Sequence, residues 1–105
     1  MTRRVSVAAP VFEKAHQQFG TARSEVGRPS EYDFIGGPLA AAIFAFRDFD
    51  SLSYDVVPAV RSFTVVDPIF GVVTFVAIAV VDGSVEVVDF ADDPDYWSMI
   101  ADDPA

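Results

Sequence analysis

The side chains able to do chemistry are few and scattered. His16 is the only histidine in 105 residues and there is no cysteine. Disulfides and thiolate metal sites are therefore excluded, and no second imidazole exists to complete a histidine pair on a metal. With residues 10–26 helical, the neighbours of His16 one turn away are Phe12 and Gly20, which neither orient a general base nor supply a ligand. A surface or boundary role is expected for it. Asp92, Asp93 and Asp95, with Asp102 and Asp103, form a carboxylate cluster. A calcium loop needs oxygen ligands at alternate positions and a glycine at its sharp turn, whereas ADDPDYW has Pro94 and no glycine. Acid–base work by paired carboxylates needs one of them in an apolar pocket, which a solvated tail does not supply. No metal and no cofactor is expected.

Gly36-Gly37-Pro38-Leu39 leads into a helical pattern, and helix starts bind anions. No P-loop or dinucleotide pattern surrounds it, and a loop-to-helix turn accounts for it. The serines sit in no nucleophile elbow. Arg61 stands apart as the only base after Arg47, at the start of a strand in AVRSFTV. Its two readings are an ion-pair partner for one of the many aspartates and a binding residue.

The elements that must position these groups centre on Ile69–Val81, IFGVVTFVAIAVV, a run without charge between Asp67-Pro68 and Asp82-Gly83. Such a run predicts a strand buried on both faces. Val60–Val66 and Val85–Phe90 flank it as meander partners, with Asp82-Gly83 predicting a two-residue hairpin turn. Within the first, Phe63 and Val65 share one face, and Ser62 and Thr64 the other. Within the last, Val85 and Val87 face in and Glu86 faces out. Arg4–Ala8 reads as an edge strand. Pro10 opens a helix whose stripe is Phe12, Ala15, Phe19, Ala22 and Val26, weakened at Gly20 and stopped by Gly27-Arg28-Pro29. Ser30 and Asp33 have capping-box spacing. Either one turn forms there and a helix restarts at Pro38, or the piece is a loop. The second helix runs to about Phe49, burying Leu39, Ala42, Ile43, Phe46 and Phe49. In the acidic tail, Tyr96, Trp97, Met99 and Ile100 are apolar enough to dock one helical turn. The fold class is α+β, a two-layer domain over 1–105 with a helical hairpin on a small antiparallel sheet, in the order β-α-α-β-β-β.

One domain of this length, half of it hydrophobic with ten phenylalanines, can form a single core. The 13-residue apolar run is shorter than a membrane helix requires, and the residues after Arg3-Arg4 do not form a signal h-region before Glu13 and Lys14. A soluble, cytoplasmic protein without membrane contact is expected. The net charge is −9, unevenly spread: residues 1–30 hold five bases and two acids, residues 31–105 two bases and fourteen acids. Such a surface repels nucleic acid, whose binding depends on Lys and Arg, except at the amino-terminal end. Acidity that keeps an apolar chain in solution is the simpler account.

An edge strand, a helical hairpin and a three-stranded meander resemble the RelE/ParE toxin superfamily of bacterial toxin–antitoxin pairs. VRSFTV resembles the family segment in which an arginine opens the strand after the helices. VVTFVAIAVVDGSVEVVDF resembles its paired central and last strands, and in FADDPDYW Tyr96 matches a family tyrosine. The chain departs from the RelE branch where that branch cleaves messenger RNA on the ribosome. Val72 and Val73 stand where an arginine is expected, and Ala91 and Asp92 where a His-Arg pair is. Carboxylates at a phosphate site repel it. Arg61 and Tyr96 are the remaining candidates for catalysis. The ParE branch, which binds DNA gyrase, does not need the missing residues. The resemblance thus implies a protein-binding domain whose partner is an antitoxin or a target protein, with Arg61, Tyr96 and Trp97 as contact residues. A RelE-type endonuclease is the alternative. A further one is an unrelated accessory subunit that forms a homodimer through an edge strand.

Overall fold

The chain alternates between the two layers only once before committing to the sheet. In order come β1 (Val5–Val7), α1 (Ala9–Phe19), α2 (Glu31–Phe34), a π-helical turn (Ile35–Leu39), α3 (Ala40–Phe46), a 3-10 turn (Phe49–Ser51), β2 (Val60–Asp67), β3 (Gly71–Ala79) and β4 (Val85–Asp93). This is a computed structural model, and it describes residues 2–20, 30–54 and 56–92, together with the backbone but not the side chain of Asp93. The four strands form one sheet in the order β1-β4-β3-β2. The architecture is the expected two-layer α+β, with one correction. β2, β3 and β4 pair antiparallel, but β1 joins β4 in parallel, with Val5 opposite Val85 and Val7 opposite Val87. A parallel neighbour needs a long crossover, and everything from α1 to β3 supplies it.

α1 starts with Pro10 in its first turn and ends at Gly20, whose φ of 76° suits glycine and whose N–H donates to the His16 carbonyl at 2.9 Å. Its buried stripe is Val11 and Ala15, continued by the half-buried Phe19. The expected stripe began one residue later, and Phe12 is instead 40% exposed. Ala22, Val26 and Gly27-Arg28-Pro29 lie outside the described residues.

The capping box forms: Ser30 Oγ accepts from the Asp33 N–H, and Asp33 Oδ2 accepts from the Ser30 N–H at 2.8 Å. Beyond it, neither expected alternative holds. The helix neither breaks nor restarts at Gly36-Gly37-Pro38 but runs through it as the π turn into α3. In an α-helix the Pro38 ring would meet the Phe34 carbonyl and offer it no N–H. The wider i→i+5 turn relieves both conflicts. Leu39, Ala42 and Phe46 are buried as expected and Ile43 is only half-buried, while Phe49 reaches the core from the 3-10 turn.

α1 lies against β4 and α3 against β2. Between the layers Phe34 meets Phe90, Phe75 and Phe70 with ring centroids 4.6, 5.7 and 5.7 Å apart. Offset and edge-on rings at these distances contribute beyond their burial. Val73, Phe75 and Ala77 of β3 and Val85, Val87 and Phe90 of β4 complete the core.

The central run needs correction too. The strand is Gly71–Ala79, and its burial alternates along its length. Val73, Phe75 and Ala77 are buried, while Val72, Thr74, Val76 and Ile78 are only half-buried on the opposite face. Ile69 and Val81 are exposed in the flanking turns. The run is covered on one face because both helices sit on the same side. The hairpin after it has a three-residue loop, 81–83, rather than two. The Val80 N–H donates to the Ser84 carbonyl at 2.8 Å, the Gly83 N–H donates back to Val80 at 2.9 Å, and Gly83 has φ 91°. β4 runs past Phe90 to Asp93, so Asp92 and Asp93 pair with Val73 and Val72 in the sheet.

Candidate interaction surface

The structure disperses the groups that chemistry would need. His16 is on the exposed side of α1, with Nδ1 3.2 Å from Glu31 Oε1. Among the described residues no three His, Asp or Glu side chains are grouped to hold a metal ion. Gly36-Gly37-Pro38 lies inside a helical run, so its amides are not at a helix start. Asp95, Asp102, Asp103, Tyr96 and Trp97 lie outside the described residues.

Arg61 turns inward. Its guanidinium donates to the carbonyls of Pro58 at 3.0 Å and of Phe49 and Leu52 at 2.8 Å each. It also lies over the Phe49 and Tyr54 rings, 4.8 and 5.0 Å from their centroids. A planar fork of donors suits this clamp better than an ammonium would. It ties the connector before β2 to the end of the helical layer. Among the described residues, Arg3 pairs with Asp50 at 2.7 Å, Arg4 with Asp82 at 3.5 Å and Lys14 with Asp89 at 3.1 Å, and Arg47 lies over the Phe44 ring 5.9 Å from its centroid. The carboxyls respond. Asp50 is held below the usual carboxylate range by its hydrogen bond from Arg3, Asp82 by its bonds from Ser84, and Asp89 by its bond from Lys14. Ala91 and Asp92 stand on β4 opposite Thr74 and Val73, and no basic cluster lies beside them among the described residues.

What the fold does assemble is a surface. Alternation in the strands sends Val60, Ser62, Thr64 and Val66 of β2, and Val72, Thr74, Val76 and Ile78 of β3, to the side away from the helices. Val66 sits opposite Val72 and Val60 opposite Ile78, and Thr64 and Thr74 join hydroxyls at 3.0 Å. β4 adds Val88, the extra residue of a bulge between the Ala77–Val87 and Val76–Asp89 pairs, and Ala91. Glu86 and Asp89 give this β4 side of the sheet its charge. The result is a β-branched, partly exposed face with an acidic border. Exposed patches of this sort mark protein contact surfaces. Sequence reasoning missed it because the apolar run was assigned to a strand covered twice. The signal was present in Ser62 and Thr64, which alternate with Phe63 and Val65 and show that one face of β2 is not core.

No family model matches this chain, and no match to it was found among the curated proteins or the solved structures. Among the described residues no helix is long and apolar enough to cross a membrane.

Proposed function

We propose that this chain is a non-catalytic protein-binding domain of the ParE-like kind that its sequence resembles, or a derivative without toxicity, acting in the cytoplasm by contact with an antitoxin or a target protein. The observation that carries this reading is the outer sheet face of Val66, Val72, Val76 and Ile78, which no described helix covers. Two others support it. The guanidinium of Arg61 is spent on three backbone carbonyls. Arg3, Arg4 and Lys14 each face a carboxylate, so none of these cations is arranged to stabilise charge on a phosphate. Absence of cysteine agrees with a reducing compartment.

The test is expression in a bacterial host beside a Val76→Lys variant, with message integrity on ribosomes measured in parallel. Growth arrest with intact message, relieved by Val76→Lys, supports action by protein contact. Cleaved message overturns it in favour of the endonuclease. Harmless expression removes the toxic form. The derivative is then tested by binding of the protein product of an adjacent small open reading frame, and loss of that binding in Val76→Lys is expected.

A further inference from the structure

The two edges of the sheet are treated differently. On the β1 side, β1 covers only residues 85–87 of β4. Beyond it, the bulge at Val88 breaks the ladder, and Lys14 Nζ donates to the Phe90 carbonyl and to Asp89. A short strand, a bulge and a charged side chain laid over the edge, here Lys14 from α1, are devices that keep an edge from pairing with another chain. The β2 side has none of them. From Arg61 to Val66 there is no proline, glycine, lysine or bulge, and β2 closes the sheet order.

The hydrogen-bond phase of that edge can be read directly. The Ala79 N–H donates to the Ala59 carbonyl at 2.8 Å, which continues the register in which Val60 faces Ile78. Directly opposed residues that bond alternate with those that do not, so Arg61, Phe63, Val65 and Asp67 bond to β3. The N–H and C=O groups of Ser62, Thr64 and Val66 point away from the sheet. The Val60 N–H confirms the phase, for it turns outward to the Val57 carbonyl at 3.0 Å. Among the described residues, the backbone groups of Ser62, Thr64 and Val66 have no backbone partner.

We infer that this edge takes a second copy of the chain, β2 against β2 in antiparallel register with Thr64 on the two-fold axis. In that register Thr64 bonds to Thr64 of the second copy and Ser62 to Val66 of the second copy, so each of the three outward residues on each chain uses both its groups. Sliding by two residues either way brings in Pro68, which has no N–H, or Val60, whose N–H is taken. The same register sets Phe63 opposite Val65 of the second copy, twice by symmetry, and apolar pairs across strands stabilise. Phe63 and Val65 are only partly buried in one chain, and the second copy covers them. The joined sheet has eight strands, and its exposed ends are the two guarded β1 sides. This uses the edge of β2, not its outer face, and stands apart from the proposed function.

The chain has no cysteine, so a single introduced thiol reports register. Residues opposed across bonded antiparallel positions lie about 5.5 Å apart at Cα, within disulfide reach. Thr64→Cys is expected to form a covalent dimer on mild oxidation, and Ser62→Cys and Val66→Cys are not, while a mixture of these two cross-links. Analytical ultracentrifugation is expected to give twice the 11.4 kDa mass, and the mass to fall to the monomer in Thr64→Lys with the circular dichroism spectrum unchanged. A monomer at every concentration overturns the inference, as does self-cross-linking of Ser62→Cys. Hydrogen exchange separates the remaining occupants: protection of the Ser62, Thr64 and Val66 amides in a monomer means another segment of the chain covers the edge, which also overturns it.

Discussion

Lys14 Nζ lies 3.1 Å from Asp89 Oδ1, and the same ammonium bonds the Phe90 carbonyl and sits 4.8 Å from the Phe90 ring centroid. One helix residue thus joins α1 to β4 where β1 no longer reaches. The carboxyl of Asp89 titrates below its ordinary value because of that bond. A carboxyl depressed in the folded state adds stability above its unfolded pKa of about 3.9, and the gain is lost as pH falls through the folded value. Asp50 and Asp82 have the same sign. Thermal unfolding of Asp89→Asn is therefore expected to start below wild type at pH 7. The gap should close progressively below about pH 4. A gap constant across that window would show that the ion pair contributes nothing.

Arg61 is expected to matter for folding before it matters for anything else. Arg61→Met keeps much of the stem but leaves the carbonyls of Phe49, Leu52 and Pro58 without their donor. Urea unfolding should show a loss of about 1–3 kcal/mol. Arg61→Lys should recover only part of it, since an ammonium cannot lie flat between Phe49 and Tyr54 while bridging three carbonyls. Full recovery by lysine would mean that charge alone is used.

The two faces of β3 are expected to answer differently to the same change. Val73→Lys places an unpaired ammonium in the core and should cost about 4 kcal/mol or more, enough to prevent folding. Val76→Lys points to the outer face and should cost about 1 kcal/mol while removing partner binding. Circular dichroism melts of the pair check this. Equal destabilisation would mean that the outer face is covered in solution.

Gly83 holds φ at 91°, and the space a Cβ would enter there is open. Gly83→Ala therefore meets no clash, and its cost is conformational. Roughly 1–2 kcal/mol is expected, against no loss for Gly36→Ala in the helical run. The two melts read together isolate backbone strain from packing.

Much of the fold was legible because its rules are local. The alternation of Ser62 and Thr64 with Phe63 and Val65, the Ser30–Asp33 cap, and the stripe Leu39, Ala42, Ile43 and Phe46 each follow from period and residue type within one element. What failed was non-local. Whether Val72, Val76 and Ile78 are core depends on which side the helices take, and nothing within β3 says that. The parallel pairing of β1 with β4 likewise depends on where the chain returns. Phe12 lost its place to Val11 because two overlapping stripes in APVFEKAHQQF fit a helix equally well, and docking on β4 decides between them.

The candidate surface was less legible than the core. Arg61 stood out in sequence by its rarity, but a lone base carries no information about whether its partners are carboxylates, phosphates or carbonyls. Here the described partners are carbonyls and two rings. The edge of β2 was invisible for another reason: its open groups belong to the backbone, which every sequence shares.

The π turn makes the helical layer tolerant of a change in length. Phe34, Leu39, Ala42 and Phe46 are spaced by five, three and four residues, and the five falls across Gly36-Gly37-Pro38. Removing Gly36 turns that spacing into four, three and four, the ordinary heptad of an α-helix. A shortened chain lacking Gly36, with Pro38→Ala to spare the carbonyl one turn back, should therefore keep Phe34, Leu39, Ala42 and Phe46 on one face, at the cost of the buried Pro38 ring. Excision of a residue from either neighbouring helical segment would instead rotate the following side chains by about 100° and unseat them. The wide turn is a spare residue carried inside the helix, and a thermal melt of the shortened chain with a single cooperative transition is the expected sign that the domain folds around either count.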